Sequence, residues 1–201
     1  MVVALIMAGG KGSRMKLSQE KPMITINNKT MVEKIIEATQ SCKYIERTLV
    51  AVSPNTPNTR KFLLDFPVEI IDTKGEGYIE DLGNILTNEK YVDKDEVVCT
   101  IVADLPFLTS KILDTIFEKY NSTDKPALSV YLPIELFKEN NVQPSFFMDN
   151  IVPSGVNIVI ANDKPQDENI FILNDSKLVY NVNTISDLKS SVAMQKFSED
   201  I

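Results

Sequence analysis

A glycine turn, Gly9-Gly10-Lys11-Gly12, is followed by Arg14, Lys16 and Lys21, so four cations fall within eleven residues of a chain whose formal net charge is -7. Glycines directly behind a strand let backbone N–H groups approach an anion closely, and the cations that follow suit a polyanion. The turn is neither GxGxxG nor a Walker loop, so the two commonest nucleotide fingerprints are absent. A triphosphate fits this loop better than a dinucleotide does; a solvated basic loop is the plainer alternative.

Two aspartates stand where they could complement such a loop. Asp104 follows an apolar run in the stretch Ala-Asp-Leu-Pro, and it can hold a divalent cation or cap the next helix. Asp72 is either an ordinary turn residue or an acceptor for the N1–H and amino group of guanine, a donor pair that adenine cannot offer. Gly75 and Gly77 either let the chain pass close to a base or ribose or merely make a turn. Tyr78, Glu80 and Asp81 read first as the opening of a helix and second as pocket residues. The chain contains no histidine, which removes the commonest general base and metal ligand. Triad hydrolysis and His-ligated zinc are excluded, and any bound metal is held by oxygen, favouring magnesium, calcium or manganese. Cys42 and Cys99 have no metal-type spacing and read as two reduced thiols.

The elements that must position these residues alternate. Residues 2–7 are a continuous apolar run, as expected of a strand buried on both faces. Residues 30–39 have helical spacing, and Thr30 with Glu33 fits a capping box. Strands are expected at 48–53, 68–71, 96–103 and 126–132, and helices at 59–65, 78–88 and 108–120, the last capped by Thr109 or Ser110. Strand and helix in alternation predict parallel βαβ units in a three-layer, doubly wound, mostly parallel α/β sheet. After residue 132 the rhythm breaks. Residues 133–150 read as irregular, 151–160 as a strand interrupted by Pro153 and Gly155, 162–169 as polar, 177–180 as a short strand, and Thr184 as the cap of a helix to about residue 196. The expectation is a single domain over 1–201 with an irregular substrate-side insertion.

At 201 residues the chain is long enough to bury roughly 70% of its unfolded surface without staples. The apolar runs are far short of the roughly 20 residues of a membrane span. The first run lacks a cationic flank before it, so it reads as a strand rather than a signal peptide, and a cytoplasmic location is expected. The acidic balance and the lack of a long basic stripe argue against nucleic acid.

AGGKGSRM followed by EKP resembles the signature of nucleotidyltransferases of the molybdenum-cofactor guanylyltransferase and sugar-phosphate type. ADLP at 103–106 and NVNTISDL at 181–188 resemble two further motifs of that family, in the same order. The resemblance implies a Rossmann-like nucleotidyltransferase fold in which the loop Ala8, Gly9, Gly10, Lys11 and Gly12 wraps the nucleotide phosphates. It also implies that Arg14 and Lys21 neutralise those phosphates and that Asp104 binds magnesium. Lys16 departs from the family, which often has glycine there. SPNTPNT at 53–59, DTKGEGYIEDL at 72–82 and VPSGVN at 152–157 are similar to the archaeal adenosylcobinamide-phosphate guanylyltransferases. That likeness implies nucleotide contacts from Ser53, Asp72, Gly75 and Gly77. It implies contacts to the second substrate from Gly155, Asn157, Asn181 and Asn183, with Asn157 a ribose contact or second metal ligand and the last two otherwise turn residues.

The expected substrates are therefore GTP, with magnesium, and adenosylcobinamide phosphate, in cobalamin biosynthesis. A sister enzyme acting on molybdopterin, phospholactate or a sugar phosphate is the alternative, and a non-catalytic nucleotide-binding module is the third. The oligomeric state is left open, a homodimer being one possibility.

Overall fold

The computed structural model describes residues 2–12 and 19–182. Seven strands form one sheet: β1 (Val2–Met7), β4 (Arg47–Val52), β5 (Glu69–Asp72), β6 (Val97–Val102), β7 (Ala127–Pro133), β8 (Ile151–Ile160) and β9 (Glu168–Ile172). A two-stranded hairpin, β2 (Thr25–Ile26) and β3 (Lys29–Thr30), stands apart. Its turn is Asn27-Asn28, both at positive φ, the type I′ geometry that asparagine tolerates. The order in the sheet is β5-β4-β1-β6-β8-β7-β9. Every pairing is parallel except those of β8, which runs antiparallel between β6 and β7.

Helices α1 (Met31–Gln40), α2 (Pro57–Phe62), α4 (Ser110–Asn121) and α5 (Ile134–Glu139) belong with one face of the sheet, and α3 (Tyr78–Leu86) covers the other. The first face buries Ala4 and Ile6 of β1, Cys99 and Ile101 of β6, and Leu128 and Val130 of β7 against α1 and α4. The second packs Leu5, Leu49, Ile71 and Val98 under Leu82, Ile85 and Leu86 of α3. The arrangement is three-layered, but its layers are unequal. Beyond β6 no helix among the described residues lies on the second face.

The expected elements are present, with shifted ends. The capping box of α1 is formed: Thr30 Oγ1 accepts from the Glu33 N–H and the Glu33 carboxylate accepts from the Thr30 N–H, each at 3.2 Å. Thr109 is the cap of α4. The helix expected at 59–65 begins earlier, at Pro57, whose fixed φ and missing N–H suit a first turn, and it ends as a 3-10 turn at Leu63–Asp65. The strand expected at 177–180 is instead a 3-10 helix, Ser176–Val179. Asp175 explains the difference: its side chain accepts from the Lys177 N–H at 2.9 Å and turns the chain. β9 and α5 were not anticipated. The helix expected after Thr184 lies outside the described residues.

Candidate active site

The cleft forms where β1 and β6 end side by side, Met7 pairing with Val102. Parallel strands put their carboxyl ends, and the loops that follow, on one edge of the sheet, the usual place for a ligand in such folds. After Met7 the Ala8 N–H donates to the Ala51 carbonyl at 2.8 Å, so the chain stays on the sheet until Gly9. There it presses against the end of β4. A Cβ on Gly9 would sit 3.1 Å from Ser53 Cβ and 3.3 Å from Ser53 N, so a side chain there would push the two turns apart by a few tenths of an ångström. Ser53 Oγ donates to the Gly9 carbonyl at 2.7 Å and fixes the contact.

Ala8, Gly10, Lys11, Gly12, Lys21 and Asp104 line a cleft of about 270 Å³. At its base the Lys21 ammonium pairs with Asp104 Oδ2, both side chains being mostly buried. The other carboxylate oxygen, Asp104 Oδ1, is buried and has no hydrogen-bond partner. The Val182 N–H donates to the Asp104 carbonyl at 3.1 Å, which brings the first two residues of the 181–188 motif, Asn181 and Val182, beside Asp104. Asn181, next in the chain, lines a smaller cavity with Phe137, Phe146 and Leu178. Arg14 and Asn183 lie outside the described residues, as does Lys16.

Lys21 opens a 3-10 turn, Lys21–Met23, and Glu20 anchors that turn. One Glu20 oxygen accepts from the Asn58 N–H and side-chain amide at 2.7 and 2.8 Å, the other from the Thr59 N–H and hydroxyl at 2.6 and 2.7 Å. Burial would raise this carboxyl's pKa, but the donors of Thr59 and Asn58 together outweigh it and hold Glu20 below the usual range. Its part was not anticipated, because an exposed-looking acid before a lysine carries no signal of a partner thirty-eight positions on.

The remaining candidates form two further groups. Gly75 packs over Ser53 and Asn55, where an added Cβ would approach Asn55 Nδ2 to 2.8 Å; the 72–77 loop thus rests on the turn that holds Gly9. Gly77 precedes the first turn of α3. Asp72, at the end of β5, is engaged with Arg60 through two hydrogen bonds of 2.7 and 2.9 Å. The guanidinium holds its carboxyl below the usual range. The structure does not bring Asp72 into the cleft with Lys21 and Asp104. Asp81, in the first turn of α3, is buried; Oδ2 accepts from the Thr73 hydroxyl at 3.0 Å and Oδ1 has no partner. Gly155 and Asn157 sit on β8. Asn157 pairs with Thr100 of β6 and Ser129 of β7. Gly155 has φ +84°, and a Cβ there would collide with Val102 of the cleft wall.

Asp104 suits a magnesium ion. Its buried, unpartnered Oδ1 is a hard oxygen without another use, and magnesium characteristically takes one or two carboxylates together with substrate phosphates. No cluster of three or more ligating side chains exists among the described residues, so substrate oxygens and water would complete the sphere. No helix among the described residues is long and apolar enough to cross a membrane.

Comparison with known proteins agrees with this geometry. The MobA-like NTP transferase domain matches residues 4–135. The adenosylcobinamide-phosphate guanylyltransferase of Methanocaldococcus jannaschii is 34% identical over 96% of this chain and 97% of its own. A probable molybdenum cofactor guanylyltransferase of Methanosarcina mazei is 25% identical over 96% of this chain and 91% of its own. Among solved structures, a CMP:2-keto-3-deoxy-manno-octonic acid synthetase complexed with CTP superposes with a TM-score of 0.70, covering 98% of both chains at 13% identity, a likeness of fold. With its glycine loop, lysine and aspartate gathered at the ends of β1 and β6, the chain belongs to the family of MobA-like NTP transferase domains.

Proposed function

We propose that the chain transfers GMP from GTP to adenosylcobinamide phosphate, giving adenosylcobinamide-GDP and pyrophosphate. One observation carries the reading: the glycine loop, Lys11, Lys21 and Asp104 line one cleft in a chain related over nearly its full length to an enzyme of that name. A terminal phosphate oxygen of the acceptor attacks the α-phosphorus of GTP, and the bond from that phosphorus to the bridging oxygen of the β-phosphate breaks. Placing two polyanions in contact is the main obstacle, so fixed positive charge is what the site must supply.

Backbone N–H groups of residues 9–12 and the ammonium groups of Lys11 and Lys21 would receive the polyphosphate, with Arg14 assigned to the same task by its motif. Magnesium, held by Asp104 and the phosphates, would neutralise charge on the leaving pyrophosphate. The acceptor phosphate is already mostly dianionic near neutral pH, its second pKa being about 6. The chain therefore needs no general base, which suits a site without histidine. The Asp104 carboxylate keeps Lys21 oriented, and the tight Gly9–Ser53 contact fixes the start of the loop, so these parts of the cradle are held in position for substrate. Guanine selection falls to the 72–77 loop, with Asp72 as acceptor; two bonds to Arg60 leave a carboxylate further lone pairs for a base.

The test is pyrophosphate release from GTP with a panel of phosphorylated acceptors: adenosylcobinamide phosphate, molybdopterin, phospholactate and a hexose 1-phosphate. The expected result is turnover with the corrinoid alone, and a product heavier than the acceptor by one GMP unit. Turnover with another acceptor and none with the corrinoid would contradict the reading.

A further inference from the structure

The sheet's second face is covered by α3 over β5, β4, β1 and β6, and beyond β6 its residues are partly or largely exposed. Pairing places Asn157 of β8, Ser129 and Tyr131 of β7, and Ile170 and Ile172 of β9 on that face. Alternating with them, Leu128, Val130 and Leu132 point to the buried side. Ile170 and Ile172, 51% and 44% exposed, stand beside Ser129 and Tyr131. A two-sided sheet normally covers such residues.

We propose that this open half-face is the platform on which the flat macrocycle of the acceptor lies; the inference rests on the reading of the acceptor as a corrinoid phosphate. Continuity with the cleft is the first argument. Val102 is a wall of the cleft, and Gly155 lies so close that any side chain there would strike it. With no side chain at 155, β8 packs flush against the Val102 side chain of the cleft wall, so an acceptor phosphate near Asp104 leaves its bulk over β8. The second argument is dimension. From β6 to β9 is three strand spacings, about 14 Å, a span suited to one macrocycle and far wider than a sugar needs. The third is chemistry. Tyr131, Ile170 and Ile172 offer apolar contact to a ring face, while Asn157 and the Ser129 hydroxyl, itself bonded to Glu168, offer partners for peripheral amides.

The experiment compares the wild type with Ile170→Gln/Ile172→Gln, which removes exposed apolar surface without adding charge. Adenosylcobinamide phosphate and GTP are each titrated by calorimetry, with melting temperature and sedimentation recorded alongside. The expected result is a corrinoid Kd raised at least tenfold, with GTP affinity, melting temperature and oligomeric state unchanged. Aminopropanol phosphate, the bare arm without the macrocycle, should be guanylylated equally slowly by both proteins. An unchanged corrinoid Kd overturns the inference. Accompanied by dissociation of a dimer, it assigns the face to a second copy; accompanied by a lowered melting temperature, it assigns the face to another part of this chain. Wild type that binds no corrinoid but guanylylates another acceptor removes the parent reading itself, a distinct failure. Should the double variant lose its melting transition, Ile172→Gln alone gives the same comparison.

Discussion

Asp104 does two things with one carboxylate: Oδ2 holds Lys21, and Oδ1 is left without a partner. A buried acceptor without a donor costs about 1–3 kcal/mol, and such a cost is tolerated where a ligand is to be bound. Asp104→Asn keeps the shape and removes the charge. Turnover should fall by about two orders of magnitude or more, the scale of losing one electrostatic contact in a transition state, while metal-free GTP binding survives. The cap expected of Asp104 is instead Thr109, so normal turnover of this variant, measured by pyrophosphate release, would leave Asp104 only a structural partner of Lys21. Asp72 tests base selection separately. If it reads guanine beside Arg60, Asp72→Asn should cut the GTP-over-ATP preference roughly tenfold to a hundredfold, the value of about 1–3 kcal/mol. Titration of both nucleotides into both proteins decides it: an unaltered ratio places base selection elsewhere, on the rest of the 72–77 loop or in the first turn of α3, where Asp81 has an unpartnered oxygen.

At the scale of elements, the cleft depends on how one short turn is tied down. Glu20 links the Lys21–Met23 turn to the start of α2 through four donors. Its pKa is depressed in the folded protein from an ordinary 4.5, so the stability it adds is complete above the usual carboxylate range and is lost as pH falls through the lower native value. Partial exposure screens the contacts, so the contribution is about 1 kcal/mol. Glu20→Gln should therefore melt lower than wild type at pH 7, with the gap closing below about pH 4. A gap independent of pH would mean the carboxylate's charge is not what ties the turn. What the sequence made legible at this scale were elements with their own periodicity or caps, β1, β4, β6, α1 and α4. β9 was hidden because its five residues, alternating Glu168-Asn169-Ile170-Phe171-Ile172, run straight out of a polar stretch. Residues 177–180 deceived in the other direction: Leu178 and Val179 are consecutive buried apolar residues, and the turn that holds them is set by the Asp175 side chain. The motif residues Lys21 and Asp104 could be nominated from sequence, but their meeting across eighty-three positions is decided by strand order. So is the separation of Asp72 from them.

For the whole molecule, the acidic balance and the cationic loop are reconciled by confinement, since Lys11 and Lys21 face one cleft of a chain that is otherwise net negative. The absence of histidine and the dianionic nucleophile together make a statement about pH. The kcat/KM profile should show an acidic limb near pH 6, belonging to the acceptor phosphate, and a plateau to about pH 9, before lysine begins to deprotonate. An acceptor with a lower second pKa should carry the limb down with it. A limb that stays fixed when the acceptor changes, and vanishes on replacing one side chain, would reveal a base on the enzyme.

The central claim is that this cleft moves a guanylyl group, intact, from GTP onto a corrinoid phosphate. GTP labelled with ³²P at the α position tests it in one reaction with magnesium and adenosylcobinamide phosphate, the products being separated and counted. The label should leave the nucleotide pool and appear in the corrinoid fraction, with one unlabelled pyrophosphate released for each label transferred, and Asp104→Asn should abolish both together. Label recovered as free GMP or GDP, with none in the corrinoid fraction, would contradict the account.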